Sequence, residues 1–117
     1  MPLYMIQFAY TSEAWAALTK KPENRAEAVS ALAQKMGGRL VDMYYCFGEY
    51  DGVILVDLPT DTAATAFVLA GVSGGHIKAN RTTRLMTVNE AMEAMKQAGS
   101  TTIAAPGATT AAAAGRR

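Results

Sequence analysis

Apolar residues along the chain follow two different spacings, and the spacing changes from one segment to the next. Four runs are rich in aromatic, β-branched and other apolar residues, which predicts strands at 3–10, 39–47, 53–58 and 77–86. Between these runs and after the last one, apolar residues recur every three or four positions, which is typical of an amphipathic helix. Helices are therefore expected at 12–18, 24–36, 60–72 and 87–98.

Residue types that start or stop helices lie where the spacing changes. Thr87 is followed three positions later by Glu90, which predicts a capping box for the last helix. Asn24 with Glu27 forms a looser version of the same pattern at the start of the second helix. Gly37 follows that helix and ends it in the usual C-terminal way. These local signals agree with the elements that the spacing predicts.

The order of the elements predicts the fold class. It reads β-α-β-β-α-β, with the first helical stretch in two pieces and one more helix at the C-terminal end. This is the α+β ferredoxin-like order, in which helices cover one face of a four-stranded antiparallel sheet. We expect this domain to span residues 1–98. Residues 99–117 are mostly Ala, Thr, Gly and Pro, and we expect a flexible tail because they have little to bury.

Three predicted strands are apolar on both faces, whereas a sheet covered on one side normally alternates apolar and polar residues. In the first strand Ile6 opposes Met5, and both are apolar. In the second strand, strict alternation places Leu40 on the same face as Asp42, opposite Met43. The helices can cover only one face, so the other apolar face needs a second cover.

We expect that cover to be another copy of the chain. Two sheets stacked about a twofold axis give a homodimeric α/β barrel. A trimer or hexamer is the rival assembly, and a monomer whose last helix folds back over the face is the alternative to both. The fourth strand differs because alternation gives it a polar side, with Asn80 opposite Ile77, and this predicts an edge strand.

Composition and charge narrow the function classes. The formal net charge is +1 and the basic residues are dispersed, so neither nucleic acid nor a membrane surface is an expected partner. No run approaches the roughly 18 apolar residues of a membrane span, and the first ten residues are typical of a strand and not of a signal peptide. We expect a cytoplasmic protein. One cysteine and one histidine exclude an intrachain disulfide and a structural zinc site, and no cofactor is expected.

Residues 48–52, GEYDG, join the second and third predicted strands. Asp-Gly is a strong turn pair because glycine accepts a positive φ, so a tight hairpin accounts for the stretch. The functional alternative is that Glu49 and Asp51 frame the mouth of a pocket, where Tyr50 donates a hydrogen bond. Two carboxylates supply too few oxygen ligands for a cation, so no metal is expected here.

The candidate ligand-binding residues can line a cavity between sheet and helices or at a subunit interface. They are Tyr4, Phe8, Trp15, Tyr45, Tyr50, Asp51, Phe67 and His76. The aromatic members also have a structural interpretation, because such residues pack in cores and interfaces. His76 is the only histidine, and a surface or interface position is the alternative to a role in binding.

The candidate catalytic residues are Tyr50, His76 and Arg81. Arg81 lies on the less polar side of its strand, where a guanidinium needs a carboxylate partner or an anionic ligand. Asp42 and Asp57 lie on otherwise apolar strands and are the expected partners in a structural ion pair.

Three stretches of the chain carry a resemblance to a known family. They are FGEYDGVILVDLPTDTAATAFVLA, YMIQFAYTSEAWAAL and GHIKANRTTRLMT. Over roughly residues 3–95 the chain resembles the GYD domain family, and Gly48, Tyr50 and Asp51 match the family's Gly-x-Tyr-Asp turn. The resemblance implies a dimeric α/β-barrel fold and a bacterial source, and it supplies no reaction. It also implies that the turn matters beyond its local geometry.

Three functions follow from these observations. The leading hypothesis is a homo-oligomer that binds a small organic molecule between sheet and helices or at the subunit interface. The second is an enzyme of the cofactor-free monooxygenase or isomerase kind, which rests on analogy of fold. The third is a structural or regulatory assembly unit whose tail and apolar face bind partners.

Overall fold

A computed structural model describes residues 1–107 as a four-stranded antiparallel sheet with four helices. The strands are β1 (Leu3–Tyr10), β2 (Arg39–Tyr45), β3 (Gly52–Asp57) and β4 (Ile77–Leu85). The helices are α1 (Ser12–Lys20), α2 (Arg25–Lys35), α3 (Asp61–Ser73) and α4 (Val88–Gly99). The strand order is β2-β3-β1-β4, so the predicted α+β ferredoxin-like fold is confirmed.

The chain divides into two compact units. Met1–Leu85 contains the sheet and helices α1 to α3, and the second unit begins at Met86 and contains α4. The boundary expected between residues 98 and 99 stays a prediction, and residues 108–117 of the expected tail lie outside the described residues. Among the described helices, none is both long enough and apolar enough to cross a bilayer.

The helices begin where the capping residues predict. Thr87 accepts a hydrogen bond from the Glu90 N–H at 3.0 Å, and the Glu90 carboxylate accepts one from the Thr87 N–H at 2.8 Å. This reciprocal pair is the predicted capping box of α4. Asn24 caps α2 by accepting from the Ala26 N–H at 3.0 Å. Each cap satisfies backbone donors that a helix leaves unpaired in its first turn.

The prediction of strict alternation in β2 was wrong because the strand contains a β-bulge between Leu40 and Asp42. Leu40 pairs with Val56 and Met43 pairs with Ile54, so both lie on the face covered by α2 and α3. A bulge adds one residue to a strand and reverses the side on which later residues point. Leu40 therefore packs against the core, whereas Asp42 and Met43 keep the opposite faces that alternation predicts.

β4 contains a second irregularity with the same consequence. Ala9 pairs with Ala79 but Tyr10 pairs with Ile77, so Lys78 is the extra residue. Ile77 therefore lies on the same face as Asn80 and packs against the core, whereas alternation predicted opposite faces. The edge position predicted for β4 is confirmed by the strand order.

The core lies between the sheet and helices α2 and α3. Every second residue of β1 from Tyr4 to Tyr10 is buried there, as are alternate positions of β3. The buried cluster consists of Tyr4, Ile6, Phe8, Tyr10, Ala33, Ile54, Val56, Leu58, Ala64 and Phe67. The period of two along the central strands thus selects which side chains the helices cover.

The other side of the sheet, called here the open face, carries the intervening residues of the strands. It includes Leu3, Met5, Gln7, Asp42, Tyr44, Val53, Leu55, Arg81 and Thr83. Leu55 pairs with Met5, and both side chains remain partly exposed. Tyr44 is 57% exposed. The central strands β1 and β3 are therefore apolar on both faces, as the sequence predicts.

Candidate functional site

A cavity of about 240 Å³ lies between the sheet and helices α2 and α3. Its walls are mainly apolar and include Ile6, Phe8, Leu32, Met43, Ile54, Phe67 and Val68. Four lining residues carry polar groups, namely Tyr10, Arg25, His76 and Asn80. An apolar chamber with a few polar side chains is the usual form of a site for a small organic molecule.

A cleft adjoins this cavity on the side of α1. Its walls come from α1, the end of β1 and the segment that leads into α2. Tyr10, Arg25 and His76 line both the cleft and the cavity. These three residues therefore lie at the junction of the two spaces and form part of the wall of each.

Tyr10 is the centre of an aromatic cluster at this junction. Its ring centroid lies 5.1 Å from that of Phe8 and 5.1 Å from that of Trp15, both in edge-to-face geometry. The Tyr45 and His76 rings lie 6.2 Å and 6.4 Å away. The Tyr10 and Tyr45 hydroxyls are hydrogen-bonded at 3.1 Å. These contacts hold the Tyr10 ring in one orientation at the cavity wall.

Asp51 fastens this cluster to the turn between β2 and β3. One carboxylate oxygen, Oδ2, accepts hydrogen bonds from the Tyr10 N–H at 2.9 Å and from the Trp15 Nε1–H at 3.0 Å. The Asp51 N–H donates to the Phe8 carbonyl at 2.8 Å. A single residue thus joins the end of β1, helix α1 and the turn. Its carboxylate positions the residues around the cavity and does not itself line it.

Glycine is required at two positions of the turn, for a different physical reason at each. Gly48 has φ +121°, a conformation that side chains with a Cβ rarely adopt. Gly52 lies beneath the Phe8 ring, where an added Cβ would lie 2.3 Å from Phe8 Cζ. Gly48 therefore permits the bend of the chain, and Gly52 leaves room on β3 for the cavity-lining Phe8 ring.

Burial raises the pKa of the Tyr10 hydroxyl, and the hydrogen bond with Tyr45 raises it further. The Arg25 guanidinium acts in the opposite direction and more weakly. The hydroxyl therefore remains protonated near neutral pH. It offers the cavity a neutral hydrogen-bonding group and not a phenolate base.

The free energy of unfolding is expected to fall as the pH rises above about 10, the ordinary tyrosine pKa. The folded-state pKa of Tyr10 is raised, so its contribution to stability is fully present below that pH. The contribution is lost as the pH rises toward the folded-state value, because the unfolded chain releases its proton first. Tyr10→Phe is expected to flatten this loss in urea denaturation between pH 8 and pH 11.

The matched control is Tyr44→Phe. The hydrogen bond with Asp42 raises the pKa of Tyr44, but this side chain is exposed and solvent screens the interaction. We expect Tyr44→Phe to leave the alkaline slope of stability nearly unchanged. An identical slope in the wild type and in Tyr10→Phe would contradict the role given to burial of Tyr10.

The predicted site residues fall into three groups. Phe8, Phe67 and His76 line the cavity. Trp15 and Tyr45 contact Tyr10 and belong to the aromatic cluster. The remaining candidates, Tyr4, Tyr50, Asp51 and Arg81, do not line this cavity. The assignment of all these residues to ligand binding or catalysis stays a prediction.

Tyr4 and Arg81 lie away from the cavity for different reasons. The Tyr4 hydroxyl donates to Asp61 at the start of α3, beside Arg84. Arg81 pairs with Gln7, which puts it on the open face, whereas His76 lines the cavity on the covered side. The expected partner Asp57 instead forms an ion pair with Arg39 at 3.3 Å.

The candidate site residues predicted from the sequence do not include Tyr10 or Arg25. Tyr10 shares its face of β1 with Phe8, so its inclusion in the site could have been predicted from the period of two. Arg25 gives no comparable signal, because it follows the cap of α2 at a position where exposed basic residues are common. Its guanidinium reaches the cavity only through the packing of α2 on the sheet.

Comparison with known protein families matches residues 4–95 to the GYD domain. The chain belongs to the GYD domain family. Of the three residues of this GYD domain that match the family's Gly-x-Tyr-Asp turn, Gly48 and Asp51 are the two with a physical role in the structure. No protein with curated function matches the chain.

Solved structures that are similar to this GYD domain have low sequence identity to it. TTHA0845 from Thermus thermophilus is 16% identical, with a TM-score of 0.50 over 75% of this chain and 96% of its own. MtbAldR is 16% identical, with a TM-score of 0.53 over 74% of this chain and 52% of its own. FFRP-DM1 is 18% identical, with a TM-score of 0.46 over 74% of this chain and 100% of its own. At identities this low, the similarity of TTHA0845 and MtbAldR to the GYD domain is one of fold alone.

Proposed function

We propose that this GYD-domain protein binds a small, mainly apolar organic molecule in the cavity between the sheet and helices α2 and α3. The observation that carries the proposal is the apolar chamber of about 240 Å³ with polar side chains where it meets the cleft. Typical ligand pockets occupy about 300–1,000 Å³. The ligand is therefore a small one, of the size of a single aromatic ring or a short alkyl chain.

Binding is favoured over catalysis by the positions of the three candidate catalytic residues. Of Tyr50, His76 and Arg81, only His76 lines the cavity. The Tyr10 hydroxyl is held protonated by burial, which suits a hydrogen bond to a ligand better than removal of a proton.

The location that we propose is the cytoplasm. The sequence contains one cysteine and therefore no intrachain disulfide, which accords with that location.

The assembly that we propose is a homodimer in which the open faces of two copies meet. Support comes from the partly exposed apolar residues of β1 and β3 on that face, such as Met5 and Leu55. A contiguous apolar surface of this kind is rarely left uncovered. Contact about a twofold axis would cover both copies at once, because the same patch serves on each.

Gly71→Leu is expected to abolish binding of small apolar molecules without lowering stability. Gly71 lines the cavity from α3, and a Cβ at this position would meet no atom within 4 Å. The larger side chain fills space that the ligand needs, and removal of a helical glycine favours the helix by up to about 1 kcal/mol. The measurement is the rise in melting temperature caused by fragments with one aromatic ring or a short alkyl chain.

The matched control is Thr62→Leu, which adds a leucine at an exposed position of the same helix outside the cavity. We expect the control to bind fragments as the wild type does. If no fragment stabilises the wild type, or if Gly71→Leu binds with wild-type affinity, the cavity is not the ligand site.

A further inference from the structure

The polar groups of the cavity are concentrated at its junction with the cleft. Tyr10, Arg25 and His76 line both spaces, whereas the apolar walls formed by residues such as Ile54 and Phe67 belong to the cavity alone. A ligand in this cavity therefore has two different environments. Its body contacts apolar side chains, and one end meets hydrogen-bond donors.

The charge that the cavity wall carries is positive. Within residues 1–107, no side chain that lines the cavity is acidic. Arg25 is the lining residue whose side chain is always positively charged. The adjoining cleft adds Lys21 and one acid, Glu23, whose side chain is 54% exposed. An anionic group at the inner side of Arg25 therefore meets no carboxylate among the cavity walls.

Arg25 is held in place and retains capacity for another acceptor. Its Nη1 donates to Glu23 Oε1 at 2.8 Å, and this hydrogen bond raises the pKa of the guanidinium. Tyr10 is its other interaction partner. A guanidinium has five N–H donors in a fixed plane, so a ligand oxygen can bind without displacing either residue.

His76 is fixed beside the same junction. Its carbonyl accepts from the Thr11 N–H at 2.9 Å, which ties the start of β4 to the start of α1. Its ring packs over Gly74, where an added Cβ would lie 2.6 Å from His76 Cε1. An imidazole has an N–H donor in either neutral tautomer. His76 therefore supplies a hydrogen-bond donor at the junction in addition to the Tyr10 hydroxyl.

We infer that the ligand of this cavity is an apolar monocarboxylate, whose carboxylate is bound by Arg25 and His76 and whose body occupies the apolar chamber. The inference rests on the proposed function of the cavity. A carboxylate matches the planar fork of a guanidinium, which favours it over a neutral polar group of similar size. The small volume and apolar walls exclude a ligand with charges at both ends.

The test compares acids with their neutral amides, which have nearly the same shape. Phenylacetate with phenylacetamide, and hexanoate with hexanamide, are titrated into the full chain at constant ionic strength, and amide chemical shifts are followed by NMR. For at least one pair, the wild type is expected to bind the acid about tenfold or more tightly than the amide. Arg25→Gln is expected to reduce that preference to about threefold or less while the affinity for the amide stays the same.

The control is Lys35→Gln, which removes one positive charge from an exposed position at the other end of α2. It is expected to retain the full preference for the acid. Equal affinity of acid and amide in the wild type overturns the carboxylate inference but leaves the proposed function standing. Failure of every probe to bind overturns the proposed function itself. A preference that persists in a folded Arg25→Gln variant overturns the role of Arg25.

Discussion

Replacement of Asp51 with alanine is expected to lower the free energy of unfolding by about 2–4 kcal/mol, since hydrogen bonds to a charged group contribute about 1.5–3 kcal/mol each. The Tyr10 N–H loses its acceptor at a buried position, and the Trp15 indole N–H loses its partner as well. For a domain of this size the melting temperature should fall by roughly 10 °C. Urea denaturation and thermal unfolding both measure the effect.

The chain provides two controls and an internal probe for this prediction. Glu49→Ala removes an exposed carboxylate two residues away and should change stability by less than about 0.5 kcal/mol. Asp51→Asn keeps an acceptor oxygen, so its loss of stability should lie between those of Asp51→Ala and Glu49→Ala. Trp15 is the only tryptophan, so its fluorescence reports directly on the environment that Asp51 maintains. Equal stability of Asp51→Ala and Glu49→Ala would show that the carboxylate does not fasten β1 to α1.

Leu55→Lys is expected to convert the proposed homodimer into single chains. Leu55 lies at the centre of the open face, paired with Met5. A buried, unpaired charge costs about 3 kcal/mol or more, and a twofold interface contains the substitution twice. The dimer should therefore weaken by about four orders of magnitude. Sedimentation equilibrium or light scattering measures the mass of the wild type and of the variant.

The matched control is Leu69→Lys, which puts the same charge on α3 at a leucine that is 59% exposed. It should leave the mass unchanged, because α3 covers the opposite side of the sheet. A wild type that sediments as a single chain would contradict the proposed dimer. A Leu55→Lys variant that keeps the wild-type mass would place the interface elsewhere.

The contacts of the turn between β2 and β3, taken together, give that turn a structural role at the cavity. Asp51 binds Tyr10 and Trp15, and Gly52 makes room for the Phe8 ring. Tyr10 and Phe8 in turn form part of the cavity wall. The turn is therefore both a corner of the sheet and a support for the proposed binding site.

The sequence by itself determined the order of the elements, the fold class and the caps of the helices. Each of these depends on residues a few positions apart, such as Thr87 and Glu90, so the physical cause is present within a short window. The apolar character of both faces of β1 and β3 could be predicted in the same way, because side chains alternate along a strand. Phe8, Phe67 and His76 were also predicted as site residues, and they line the cavity.

Only the tertiary structure decided the strand registers and the partners at the site. The bulges that place Leu40 and Ile77 on the covered face depend on pairing with neighbouring strands, so alternation within one strand does not reveal them. Asp51 meets Tyr10 across 41 positions of sequence and Trp15 across 36. Hydrogen-bond partners this far apart are chosen by how the elements pack, because a carboxylate binds whichever donors the folded chain brings within reach.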